Sequence, residues 1–396
     1  MTGTVEAGPP RLSLTALFLK FLRFGALAFG GPVAQIAMLR ASLVEQERWI
    51  DSARFNRLLA VLQVLPGPEA HELCVHLGMV ARGRLGGVLA GLGFMLPGLL
   101  LMLATGWVYV NWVAGDTGLS GALLGVQIVV LAVILRAVVR IGRHIVEDWL
   151  LGAIAAGGLI ATLAGVPFWL PLAAGGLVCA LAHRPVFALL TVALAALVAV
   201  VAYFVALPDP GVVVTRGATV TAAGLFVAGL KGGLLTFGGA YTAIPYVRAD
   251  TVGRGWIGDS TFLDGIALAG VLPAPLVIFA TFVGYVAGGL GGALAITAGM
   301  FLPAFAFSLI LFERLEALVE NPAMHRALAG IAASVVGIIA ATFAQLGYAT
   351  GARVANPLLA AALFGVALAL VWRVKGAWVT PAVVAGGAIA GLLVPL

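Results

Sequence analysis

Residues 65–76 read LPGPEAHELCVH, that is Leu65-Pro66-Gly67-Pro68-Glu69-Ala70-His71-Glu72-Leu73-Cys74-Val75-His76. Two prolines flank a glycine, and two acids and two histidines follow at once. Short apolar pieces, 55–65 and 68–80, meet at this motif. Eleven residues of helix rise about 16 Å, roughly half a hydrocarbon core. The stretch therefore reads either as one proline-kinked span or as two half-length helices that meet inside a membrane.

The rest of the chain is that of a membrane protein. Of 396 residues, 62% are hydrophobic and 10% charged, and the mean hydropathy is +1.13. Soluble domains carry about a quarter charged residues. Runs such as 186–207 and 358–371 are long enough for most or all of a bilayer crossing. The opening MTGTVEAGPPR has no basic n-region, so no cleaved signal peptide is expected. Cys74 and Cys179 lie in apolar segments and make neither a disulfide framework nor a thiolate metal set. No GxxxxGK[ST] motif occurs, so transport would run on gradients or on another subunit. No cofactor or metal is expected. The net charge of +6 reads as loop arginines that set topology, not as a nucleic-acid surface.

The chain repeats itself. Phe-Gly-Gly at 29–31 recurs at 237–239, Trp49-Ile50 as Trp256-Ile257, and Phe55 as Phe262. Leu65-Pro66-Gly67-Pro68 matches Leu272-Pro273-Ala274-Pro275, and Leu96-Pro97 matches Leu302-Pro303. The offset stays between 208 and 206. The expected fold is all-α: a polytopic membrane protein of two homologous repeats, each of about six to seven helical segments. Proline-broken short helices would meet near the midplane. The repeats are placed at 1–183 and 224–396, with an extra span and linker at 184–223. In each repeat a span (13–33; 224–242) leads through a polar helical segment (34–54; 243–261) to the proline-broken piece. Paired, interrupted short segments at matching positions are the sequence pointer to a midplane transport site.

If 55–80 crosses once, the chain has 13 spans and inverted halves. If both proline segments are re-entrant, there are 11 spans and parallel halves. The basic residues divide 13 to six in either case, so the positive-inside rule does not decide.

FGGP at 29–32, RWI at 48–50, LPGPEAHEL at 65–73, FGG at 237–239, LPAP at 272–275 and FVGY at 282–285 closely resemble the long-chain chromate transporter family of bacteria. The resemblance covers both halves. It implies a multi-pass transporter of the bacterial inner membrane that exports chromate and confers chromate resistance, with oppositely oriented halves, and so favours 13 spans. Departures lie in half two, which has Pro273-Ala274-Pro275 where many relatives carry Pro-Gly-Pro, and Gly238-Gly239-Ala240 where a third glycine is common.

Chromate is a tetrahedral dianion, which helix N-termini and cations can hold. Pro68 suits the first position of a new helix and would leave the N–H groups of Glu69, Ala70 and His71 free. Gly67 allows close backbone approach. Gly30 and Gly31, with Pro32 opening the next helix, offer a second such end; Gly238, Gly239 and the Pro273, Ala274, Pro275 break are the counterparts. Pro66 completes the first break. Arg23 aligns with Lys231 and Arg40 with Arg248. A cation at midspan costs about 2.5–3.5 kcal/mol on insertion scales, so these are candidate counter-charges; close helix packing and snorkelling are the alternatives. Glu69, His71, Glu72 and His76 align with apolar residues of half two. At about 100° per residue, Glu69, Glu72 and His76 fall within roughly 60° of one another. They are proton-relay candidates, or else cap the helix dipole and pair internally.

Three further readings compete. A zinc protease needs histidines four apart, whereas His71 and His76 are five apart and about 140° around a helix. A passive anion channel or a sulfate transporter fits the same helix ends. The expected function is secondary export of chromate on the membrane potential, with proton antiport as an optional addition. The expected partners are chromate, sulfate as a competitor and the lipid bilayer, with a homodimer as an option.

Overall fold

The computed structural model describes residues 12–29, 31–64, 66–115, 117–205, 219–236, 240–311, 322–374, 376 and 378–394, and these are helical with no strand. Helix α1 (Leu14–Ala26) starts behind Ser13, whose side chain accepts from the Ala16 N–H. Its 13 residues rise about 20 Å, too little for a crossing. Helix α2 (Gly31–Arg40), extended by a π-turn at Ala41–Gln46, runs back along it. Glu47 ion-pairs with Lys20, and the Trp49 ring lies edge-on to Phe21 with centroids 6.3 Å apart. The chain thus enters and leaves by one face.

A second hairpin follows. Helix α3 (Ser52–Val64) runs in to the Pro66–Pro68 break, where α4 (Glu69–Val108) begins. α4 folds back at Arg82 and Gly83, both outside helical dihedrals, and Gly83 has φ 62°, which only glycine adopts without strain. Gly78 packs on Gly86 and Ala90, and Val75 on Gly91. The arm 69–81 (α4a) therefore returns to the entry face, antiparallel to the arm 84–108 (α4b). With its π-turn Tyr109–Val113, α4b reaches about 45 Å and crosses. Gly25 sits against Phe94, and Gly93 against Phe18 and Leu22, so α1 runs parallel to α4b and ends level with its middle.

Half two repeats this plan with α9 (Ala222–Leu234), α10 (Ile244–Thr251), α11 (Asp259–Val271) and α12 (Phe279–Ala306). α12 folds at Gly288 and Gly289 into arms 279–287 (α12a) and 290–306 (α12b). The Thr281 and Thr297 hydroxyls join the arms at 2.6 Å, and Trp256 reaches back to Gly224 at the start of α9. The outer helices are α5 (Ser120–Ile145), α6 (Trp149–Leu163), α7 (Trp169–Ala180) and α8 (Pro185–Val205) after half one. After half two come α13 (Pro322–Gly351), α14 (Pro357–Arg373) and α15 (Val379–Leu393). Small residues let these helices approach: Gly125 meets Gly387, Gly121 meets Gly391, and Gly337 meets Ala155.

The halves are inverted. Gly87 packs on Leu309, Gly91 on Phe305, Gly98 on Ala274, Gly106 on Tyr285, and Tyr109 on Phe282. Along α12b and its following turn, rising numbers on α4b meet falling numbers (87 with 309, 91 with 305), so α4b and α12b are antiparallel. Gly98, which receives the second break, is midway along 84–113.

The structure corrects both expected layouts. Residues 13–33 do not form a crossing; they hold a half-length helix, a turn, and the start of its return. The 55–80 piece does not cross either, and its re-entry does not make the halves parallel. Two hairpins replace two crossings per half, so parity and inversion survive, but the segment between the hairpins changes sides. Arg48, Arg54, Arg82, Arg84, Arg143, Arg184, Arg326 and Arg373 now lie toward one face, against Arg248, Arg254 and Arg353 toward the other. The tie in charge is broken.

Candidate functional site

Eight half-length helical segments point their inner ends at the middle of the molecule. The Gln35 side-chain amide on α2 donates to Ala28 O at the end of α1 (2.9 Å) and to Ala274 O in the opposite break (3.0 Å). The Gly67 N–H in the first break donates to Thr236 O at the end of α9 (2.8 Å). Each break is therefore held by the other half. Gly30, Gly238 and Gly239 lie outside the described residues. Gly31 has φ 79° and opens α2, so Pro32 stands second in that helix, not first.

At the first break, Pro68 is the N-cap and α4a starts at Glu69, one residue later than expected. The His71 and Glu72 N–H groups donate to Pro68 O (2.8 and 3.1 Å). His71 is thus not a free donor, whereas Glu69 and Ala70 present N–H groups with no partner among the described residues. Gly67, with φ 149°, lets the chain pass under the Glu72 carboxyl. Glu72 is fully buried, and neither of its oxygens has a hydrogen-bond partner among the described residues. Glu69 and His76 are buried on the same face of α4a, while His71 is held edge-on between Phe301 and Phe305 of α12b at 4.9 and 4.8 Å. Half two closes its break differently: Pro273, Ala274 and Pro275 are buried, and the Ala274 methyl fills the space at Gly98.

The expected counter-charges are not brought to these breaks. Arg23 is exposed on the outer stripe of α1 with Leu19 and Leu27. Lys231 ion-pairs with Asp250 (3.1 Å), which Arg254 also engages (3.1 Å). Arg40 bonds Ser52 and Asn56 (2.9 and 3.2 Å) near the entry face. Arg248 is bidentate to Asp259 (2.7 and 3.0 Å) and also donates to Gln345 (2.7 Å).

Two features were missed in the sequence. Arg136 and Arg140 are one turn apart inside α5, not in a loop; the charge of Arg140 acts on Glu69, and both act on Tyr241 just beyond the second Phe-Gly-Gly. They bring positive charge to the region of the first break. Their signal was present as cations continuing an apolar run at helical spacing. The other is a buried network toward the second face. Asp264 accepts from Tyr109 (2.7 Å) and Gln127 (2.8 Å), and Arg353 donates to Gln127 (2.8 Å). It borders a cavity of about 220 Å³ lined by Gln127, Asp259, Ser260, Thr350 and Arg353 among others. A lone Asp or Gln within an apolar helix was its available signal. No group of three or more potential metal ligands is clustered among the described residues.

Comparison with known proteins agrees with this architecture. The chromate transporter family model matches twice, over residues 15–225 and 223–392. A chromate transport protein of Pseudomonas aeruginosa is 56% identical over 394 residues, covering 99% of this chain and 95% of that one. One from Cupriavidus metallidurans is 31% identical over 400 residues, with 99% and 95% covered, and a probable chromate transport protein of Synechococcus elongatus is 29% identical over 408 residues, with 97% and 96% covered. No solved structure matches. Duplicated family match, full-length relatives and paired midplane breaks together establish that this chain belongs to the chromate transporter family.

Proposed function

We propose that this chain is a secondary transporter that exports chromate across the bacterial inner membrane by alternating access around the two breaks. The observation that carries this reading is the meeting of inverted half-length hairpins at the middle of α4b, the arrangement by which secondary transporters build a midplane site. The dianion would lie on the free N–H groups at the start of α4a, with Arg136 and Arg140 as its counter-charge. The names of the Pseudomonas and Cupriavidus relatives support chromate as the substrate. The arginine-rich face fits the cytoplasm. An inside-negative potential of 100 mV then favours export of a dianion by about 4.6 kcal/mol, which supports a role in chromate resistance.

Counterflow tests this reading. Proteoliposomes loaded with unlabelled chromate should take up labelled chromate in an accelerated, saturable exchange. Flux without acceleration would indicate a channel instead. Sulfate that competes with an inhibition constant below that of chromate would transfer the assignment to sulfate. Absence of any flux would overturn the reading.

A further inference from the structure

The Glu72 carboxyl occupies the place where a side chain at residue 67 would stand: its Cδ lies 2.8 Å from the position a Cβ on Gly67 would take. It folds back over the N-terminal end of its own thirteen-residue arm, 0% exposed, with both oxygens unpartnered among the described residues. The groups that hold the surrounding backbone do not touch these oxygens. Gly67 N–H is committed to Thr236 O, and the Ser308 hydroxyl reaches only the Glu72 backbone carbonyl, at 3.5 Å. Half two has no such acid. Its counterparts to Gly67 and Glu72 are Ala274 and Phe279, both buried.

We propose, resting on the transport reading above, that the Glu72 carboxyl and the substrate oxyanion compete for the space over Gly67, so that the oxyanion enters when a proton does. A carboxylate over the break is a built-in anion where the dianion must bind, and two anions cannot share that space. Protonation neutralises Glu72 and lets it swing away, opening the space over Gly67 beside the Glu69 and Ala70 N–H groups. When the oxyanion leaves on the opposite side, the carboxyl gives up its proton and returns. With one such acid in two repeats, each oxyanion carries one proton across with it in the same direction. The titratable and charged groups around Glu72 are Glu69, His71 and His76 on its own arm, Arg54 of α3 acting on His76, and Arg140 of α5 acting on Glu69. Glu69 is the one whose charge acts on Glu72 itself. The described neighbours from α9, α12b and the turn after it are Thr236, Phe301, Phe305 and Ser308.

Calorimetric titration of chromate into the purified full-length protein, in buffers of different ionisation enthalpy, tests this. The wild type should take up about one proton per chromate bound, and its Kd should weaken by up to tenfold per pH unit as the carboxylate forms. Glu72→Gln should bind with no proton uptake and a Kd that is flat with pH, while Glu69→Gln keeps the uptake. Wild-type binding without proton uptake overturns the proposal, whatever the variants do. So does full uptake by Glu72→Gln. Wild-type counterflow separates the two claims: exchange without proton uptake removes the coupling alone, whereas no exchange removes the transport reading and the coupling with it.

Discussion

The seat of Ala274 on Gly98 can be tested by moving one methyl group across the interface. An alanine at 98 would place its Cβ 3.2 Å from Ala274 Cα and 3.4 Å from Pro273 O, and would overlap the Ala274 methyl outright. Carbon contacts favour about 3.5–4.0 Å. The break cannot easily retreat, because Ala274 O is held by Gln35 from half one. Gly98→Ala should therefore cost about 1–3 kcal/mol, the range for overpacking. Ala274→Gly loses a methyl contact and adds backbone freedom, about 0.5–1 kcal/mol. The double variant restores one methyl between the two positions and should cost little more than Ala274→Gly alone, a favourable coupling of about 1–2 kcal/mol. The pseudo-symmetric pair already has this swapped form, since Gly67 aligns with Ala274 and Ala304 with Gly98. Denaturant titration of purified variants gives the four stabilities, and counterflow reports whether the break still works. Additivity within about 0.5 kcal/mol would refute the contact and the inverted register that rests on it.

Cysteines replacing Arg84 and Arg254 should react with an impermeant thiol reagent from opposite sides of the membrane; the single-crossing layout puts both on one side, and labelling from one side would restore it. Arg136→Gln and Arg140→Gln should each raise the chromate Kd about tenfold or more, whereas Arg23→Gln, on the outer stripe of α1, should leave it within about twofold; the reverse order would return the counter-charge to α1. Tyr109→Phe removes a hydrogen bond to the buried Asp264 carboxyl and should lower stability by about 1.5–3 kcal/mol in the same titration. An unchanged midpoint would show that this network holds nothing.

The breaks were legible because Pro-Gly-Pro removes backbone donors wherever it occurs, and the repeat because Trp49, Phe55 and Leu65-Pro66 recur in step. The α1–α2 turn was not legible. Residues 13–33 have the length and hydropathy of a crossing, and what turns them back is Gln35 reaching a carbonyl 239 positions away. Hydropathy records depth but not direction. Arg23 was misplaced for a similar reason: an arginine within an apolar helix marks a cost, but its azimuth depends on which side the neighbours pack, and here Phe21 and Phe24 take the inside. Reading the net charge as loop arginines sweeps in Arg136 and Arg140, yet α5 continues to Ile145 and carries both. Asp264 escaped notice because its partners, Tyr109 and Gln127, come from the other half.

The inverted arrangement of the halves carries information about a state other than the one described. If each half took on the backbone shape now held by the other, the same interface would reassemble upside down, with access exchanged between the faces. That second conformation can be written down by threading residues 14–113 on the geometry of their counterparts and the counterparts on theirs. Its energy would not match the first. Phe279 would take the geometry of Glu72, Ala274 that of Gly67, and Ala304 that of Gly98. The two conformations would thus be related by a half-turn in shape but unequal in chemistry, with the bias between them encoded at the few positions where the duplicated sequences have diverged.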